Sequence, residues 1–70
     1  MRLDEWRKRE KVTQEAFAER VGTTQSFISE IERGEKTASD ELAAKIEEAT
    51  NGAVTFLELK HPKYRTASNE

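Results

Sequence analysis

Only three residues, Gly22, Thr23 and Thr24, separate two amphipathic segments of about eight residues each. So short a connection forces the second segment to fold back against the first. The rest of the chain is punctuated in the same way. Gly22, Gly34 and Gly52 each follow an amphipathic stretch and precede a polar break. Glycine just past a helix end enters the left-handed conformation without a Cβ penalty, so the three glycines mark three helix ends. The starts agree: Thr13, Thr24 and Ser39 each stand immediately before a helical pattern, where a hydroxyl caps exposed backbone N–H groups. Thr55 and Glu58 have the spacing of a capping box, which announces a short last helix.

These signals predict helices over about 2–10, 14–21, 25–33, 40–50 and 56–59, with a strand over 53–59 as the alternative for the last piece, because Val54, Thr55 and Phe56 favour strands. Apolar residues recur at helical spacing: Leu3 with Trp6, Phe17 with Val21, Ile28 with Ile31, and Leu42 with Ile46 and Ala49. Each helix has one stripe to bury. The fold class that follows is all-α, a compact four- to five-helix bundle, with Trp6 in its core. Of 70 residues, 24 are apolar and eight of those are alanine, so 16 larger side chains must build the core. That suffices for one small domain, 1–60, followed by a flexible polar tail, 61–70. Three pairs, Asp4 with Lys8, Glu5 with Arg9 and Glu41 with Lys45, have the i, i+4 spacing of exposed helix ion pairs.

Composition narrows the function. There is no cysteine, and His61 stands alone beside Pro62, so neither a disulfide scaffold nor a metal site is expected. No glycine-rich phosphate loop and no nucleophile with a plausible base is present, so an enzyme and a cofactor are not expected. No apolar run nears the ~20 residues of a membrane span. The N-terminus lacks the apolar stretch of a signal peptide, which leads to a cytoplasmic protein.

A glycine-containing turn between two short helices is the helix-turn-helix unit. Ala18 is small enough for a close crossing, Gly22 tolerates positive φ, and Ile28 and Ile31 anchor the second helix while its N-terminal face stays free. The stretch Gln14-Glu15-Ala16-Phe17-Ala18-Glu19-Arg20-Val21-Gly22-Thr23-Thr24-Gln25-Ser26-Phe27-Ile28-Ser29-Glu30-Ile31-Glu32-Arg33-Gly34 resembles the helix-turn-helix of the phage Cro and repressor family, also called the XRE family. The resemblance extends over roughly residues 2–59, through Ser39-Asp40-Glu41-Leu42-Ala43 and the Asn51-Gly52 break.

The resemblance implies a sequence-specific transcriptional regulator, a Cro-like repressor whose helix 25–33 enters the major groove of operator DNA. Gln25 matches a base-reading position, and glutamine can bond bidentately to adenine. Ser26, Phe27, Ser29 and Glu30 are the further base-contacting candidates, Phe27 being divided between a thymine methyl and the edge of the core. Gln14 matches a phosphate-binding position, and Thr24, Arg33, Lys36 and Thr37 join it as phosphate contacts. Lys60, Lys63 and Arg65 in the tail are weaker candidates. Thr23 and Ala38 depart from the family pattern, which usually has a larger apolar residue and a proline there; a looser turn and loop are the expected result. The family's binding to pseudo-palindromes implies a homodimer, for which Val54, Phe56, Leu57 and Leu59 are the interface candidates, with some of the four turned inward. The alternative is an antitoxin-type module that grips a partner protein, suggested by Glu30, Glu32 and Glu35.

The net charge of −2 at first opposes DNA binding. Resolved by segment, residues 1–11 carry +2, 12–34 carry −2, 35–52 carry −3 and 53–70 carry +1. Arg2, Arg7, Lys11, Arg20, Arg33 and Lys36 lie outside the i, i+4 pairs and remain as donors to a duplex. Weak non-specific binding and a shallow salt dependence are the corollary.

Overall fold

The computed structural model describes residues 1–60. They form five helices, α1 (Leu3–Glu10), α2 (Gln14–Val21), α3 (Gln25–Glu32), α4 (Asp40–Ala49) and α5 (Phe56–Lys60). Among the described residues there is no strand, so 53–59 ends in a helix. The capping box decides it. Glu58 N–H donates to Thr55 Oγ1 and Thr55 N–H donates to Glu58 Oε1, both at 3.1 Å. Thr50, itself buried, accepts from Val54 N–H at 3.1 Å and thereby folds the approach to α5.

The hydroxyl caps fall where the sequence places them. Thr13, Thr24 and Ser39 accept from the N–H groups of Ala16, Phe27 and Leu42. Each such cap stabilises a helix by about 1 kcal/mol. Gly22 ends α2 at φ 81°, and Gly34 and Gly52 also have positive φ. The end of α1 uses no glycine: Lys11 enters the left-handed region at φ 59°.

One apolar core joins all five helices. Phe17, Ile28, Ile31, Ile46 and Val54 are its largest fully buried side chains, and Leu3, Trp6, Ala18, Val21, Ala38, Leu42, Ala43 and Leu59 complete it. Trp6 meets Phe17 edge to face, ring centres 5.6 Å apart. Burying each large side chain contributes on the order of 1.5–3 kcal/mol. Because α2 and α3 both feed this core, the N-terminal end of α3 is held outward on a fixed support.

Several expectations need correction. Val54 and Leu59 are core residues, 0% and 6% exposed, so they offer no surface to a second subunit. Phe56 and Leu57 are the exposed pair, at 36% and 51%. Of the three i, i+4 pairs only Lys45 with Glu41 forms, at 3.6 Å. Asp4 pairs instead with Arg2, and Arg9 with its neighbour Glu10, because the first turn of α1 draws its acids toward Arg2. Lys60 belongs to α5 rather than to a tail: its ammonium donates to the Ala38 carbonyl at 2.7 Å and lies 3.0 Å from Asp40. Ala38 is wholly buried, so the segment before α4 is tied down without a proline. The tail 61–70, with His61, Lys63 and Arg65, lies outside the described residues.

Candidate nucleic-acid interface

The turn between α2 and α3 presents the N-terminus of α3 to solvent. Thr23 N–H closes on the Ala18 carbonyl at 2.9 Å, which brings α2 to an end within three residues of the next cap. Thr24 then caps α3, and Gln25 and Ser26, in its first turn, are exposed. Phe27 is half-buried, with its ring packed against the core. Ser29 and Glu30 are half-buried one turn further along.

Gln14 and Gln25 meet across the turn. The Gln25 side-chain amide donates from Nε2 to Gln14 Oε1 at 3.1 Å. Gln14 in turn donates from its own Nε2 to Glu32 Oε1 at 3.0 Å. Behind Glu32 stands Arg7 of α1, whose Nε and Nη2 donate to Glu32 Oε2 and Oε1 at 2.6 and 2.9 Å. Arg7 also donates from Nη1 to the Val12 carbonyl at 2.9 Å. Four side chains from three helices thus form one hydrogen-bonded chain from the inside of the domain to the exposed first turn of α3.

The pairing of Arg7 with Glu32, behind Gln14 and Gln25, is what sequence reasoning missed. From sequence alone Arg7 is a candidate donor to a duplex and Glu32 a candidate partner-binding acid. Their side chains are 13% and 7% exposed, and they neutralise each other. The hydrogen bonds that Arg7 donates to Glu32 raise its pKa, against the opposing effect of burial. A signal for Glu32 existed. It lies at i+4 from Ile28 and i+7 from Gln25, on the stripe that faces α2. No comparable local signal marks Arg7, 25 positions away.

The phosphate candidates flank this edge. Thr24 uses its hydroxyl oxygen as a cap and keeps its hydroxyl proton for another acceptor. Arg33 is exposed and bidentate to Glu35, at 3.0 and 3.1 Å, and also donates to Ser29 Oγ. That pairing raises the pKa of Arg33 and lowers that of Glu35. Arg33 is therefore not a free cation, and Ser29 is already engaged. Lys36 and Thr37 are exposed in the segment leading to α4. Of the six cations set aside as candidate donors, Arg2, Arg7 and Arg33 all have acid partners.

No helix among the described residues is long and apolar enough to cross a membrane. No curated protein and no solved structure matches the chain. A family model, described as helix-turn-helix, matches residues 3–57. The match spans the four longer helices, the turn between α2 and α3, and the start of α5. On that match and this geometry, the chain belongs to the helix-turn-helix family of the Cro and repressor type, and it is a DNA-binding transcriptional regulator.

Proposed function

We propose that the protein is a sequence-specific repressor of the Cro-like kind that reads its operator with α3 in the major groove. The observation that supports this reading most is the Gln25 amide, exposed at the first turn of α3 and held by Gln14. A side chain already fixed in one rotamer loses less entropy on forming a bidentate contact. Gln25, Ser26 and Glu30 face the base edges, with the Phe27 ring edge and Ser29 beside them. Gln14, Thr24, Arg33, Lys36 and Thr37 hold the phosphates.

Two subunits bind one pseudo-palindromic operator, with recognition helices in successive major grooves about 34 Å apart. Phe56 and Leu57 supply the subunit contact, since each is a large apolar side chain left open to solvent at the start of α5. On this reading the protein works in the cytoplasm of a bacterial or phage-infected cell, where its operator is. The toxin-binding alternative loses most of its support. Glu32 is engaged by Arg7 and Gln14, and Glu35 by Arg33.

Selection of bound sequences from a random DNA pool tests the proposal. A palindromic motif is expected, and Gln25→Ala should weaken binding to it by ~1–3 kcal/mol and relax one base position per half-site. An enriched pool with no motif, or an unaltered motif in the variant, overturns it.

A further inference from the structure

The chain of side chains behind Gln25 has a direction. Resting on the base-reading role proposed above, we infer that Glu32, which stands behind that edge, fixes the hydrogen-bonding polarity of Gln25 and so selects adenine over guanine. Glu32 is a positioning residue acting through Gln14.

A glutamine amide has two ends of nearly equal shape, an acceptor oxygen and a donor NH2, and its partners decide which end faces where. The carboxylate of Glu32 can only accept. Arg7, itself held by the Val12 carbonyl, fills both of its oxygens from one side. Gln14 must therefore turn its NH2 toward Glu32, as it does at 3.0 Å. That places Gln14 Oε1 toward Gln25. Gln25 must answer with an N–H, as it does at 3.1 Å. What remains free on Gln25 is its oxygen and its second N–H.

One acceptor and one donor match adenine, which offers the N6 amino group and N7. Guanine offers O6 and N7, both acceptors, and the Gln25 oxygen would then face O6. In the reversed chain, Gln25 would accept from Gln14 and turn its NH2 outward, where two donors suit guanine. The acid at position 32 forbids that reversal. The information is thus stored three residues deep, in a group that need touch no DNA.

Glu32→Gln tests this with little change of shape. Whichever end of the new amide faces Gln14, one Arg7 N–H meets an NH2 group. Neither polarity is then favoured, and both orientations of the Gln14–Gln25 pair become populated. Binding selection should show the adenine-to-guanine ratio at one position per half-site falling from roughly tenfold or more to about threefold or less, with other positions unaltered. Arg7→Met with Glu32→Met removes the pair without leaving a buried charge, and it should relax the same position. An unaltered ratio in either folded variant overturns the inference, provided Gln25→Ala does relax that position. If Gln25→Ala relaxes nothing, the base-reading role itself has failed. Side-chain amide NMR of the unmodified protein gives a reading that needs no variant. Gln14 amide protons close to the Arg7 guanidinium support the polarity, and Gln14 amide protons directed at Gln25 overturn it.

Discussion

Lys60, at the end of α5, reaches back across 22 positions to the carbonyl of Ala38, 2.7 Å away. Its second partner, Asp40, is 83% exposed, so that ion pair adds little in water. The carbonyl bond carries most of the effect. Lys60→Met should lower stability by about 1–2 kcal/mol, because the Ala38 carbonyl loses a charged donor. Urea unfolding measures it. Amide exchange should also quicken in the segment before α4, and unchanged exchange there would show that Lys60 does not hold it.

Glu32→Ala should destabilise by about 3–5 kcal/mol, since it leaves the Arg7 guanidinium largely buried without its partner. Arg7→Met combined with Glu32→Met should be close to neutral, because both desolvated charges disappear together. Denaturant midpoints of the single and double variants decide between a net-stabilising pair and one retained for the order it imposes on Gln14.

Lys11 and Gly22, each just past a helix end, share the left-handed conformation with opposite chemistry. Lys11 sits at φ 59° with a side chain, and Gly22 at φ 81° without one. Lys11→Gly should stabilise by about 0.5–1 kcal/mol by removing the Cβ penalty. A methyl added at Gly22 would meet nothing nearer than Lys45 Nζ at 4.0 Å, so Gly22→Ala should cost about 1 kcal/mol through conformation alone. Thermal unfolding of both variants gives the signs.

The Glu35 carboxyl, hydrogen-bonded to Arg33, titrates below its ordinary value of 4.5. A carboxylate whose folded value is depressed stabilises above the unfolded value and loses that stabilisation as pH falls through the folded one. Both partners are more than half exposed, so the effect on stability is slight. Carbon-detected titration should give a Glu35 midpoint below 4.5, and Arg33→Ala should return it to the ordinary range.

Salt dependence tests the charge economy of the interface. Only Lys36 and the partly neutralised Arg33 are cationic among the proposed phosphate contacts. The slope of log K against log salt should be near −2 per subunit or shallower, at about 0.9 per neutralised phosphate. Lys36→Ala should reduce it by about 0.9 with no change in base preference. A slope several-fold steeper would mean that cations elsewhere on the domain reach the duplex.

Sequence reasoning performs best where the cause is local. Thr13, Thr24, Ser39 and the Thr55–Glu58 box each act within three residues, and they place the helix starts correctly. The exposed Gln25 and its neighbour Ser26 follow from the same cap. The polar chain behind them was not legible, because the Arg7–Glu32 bond depends on how α1 lies against α3. The facing of 53–59 was open for a similar reason. Val54 is drawn inward by the Thr50 hydroxyl, which no periodicity in so short a segment announces. Paired charges were the weakest inference, since Asp4 and Arg9 each had a nearer partner than the one four residues on.

The two helices of the proposed reading edge, α2 and α3, are eight residues long, roughly 12 Å each. Isolated helices of that length are barely populated in water. A peptide copied from α3 would accordingly be a largely unstructured chain with no fixed amide to offer a base. Recognition here belongs to the folded domain as a whole: temperature, urea or a core substitution such as Phe17→Ala should abolish operator binding along the same curve that reports unfolding.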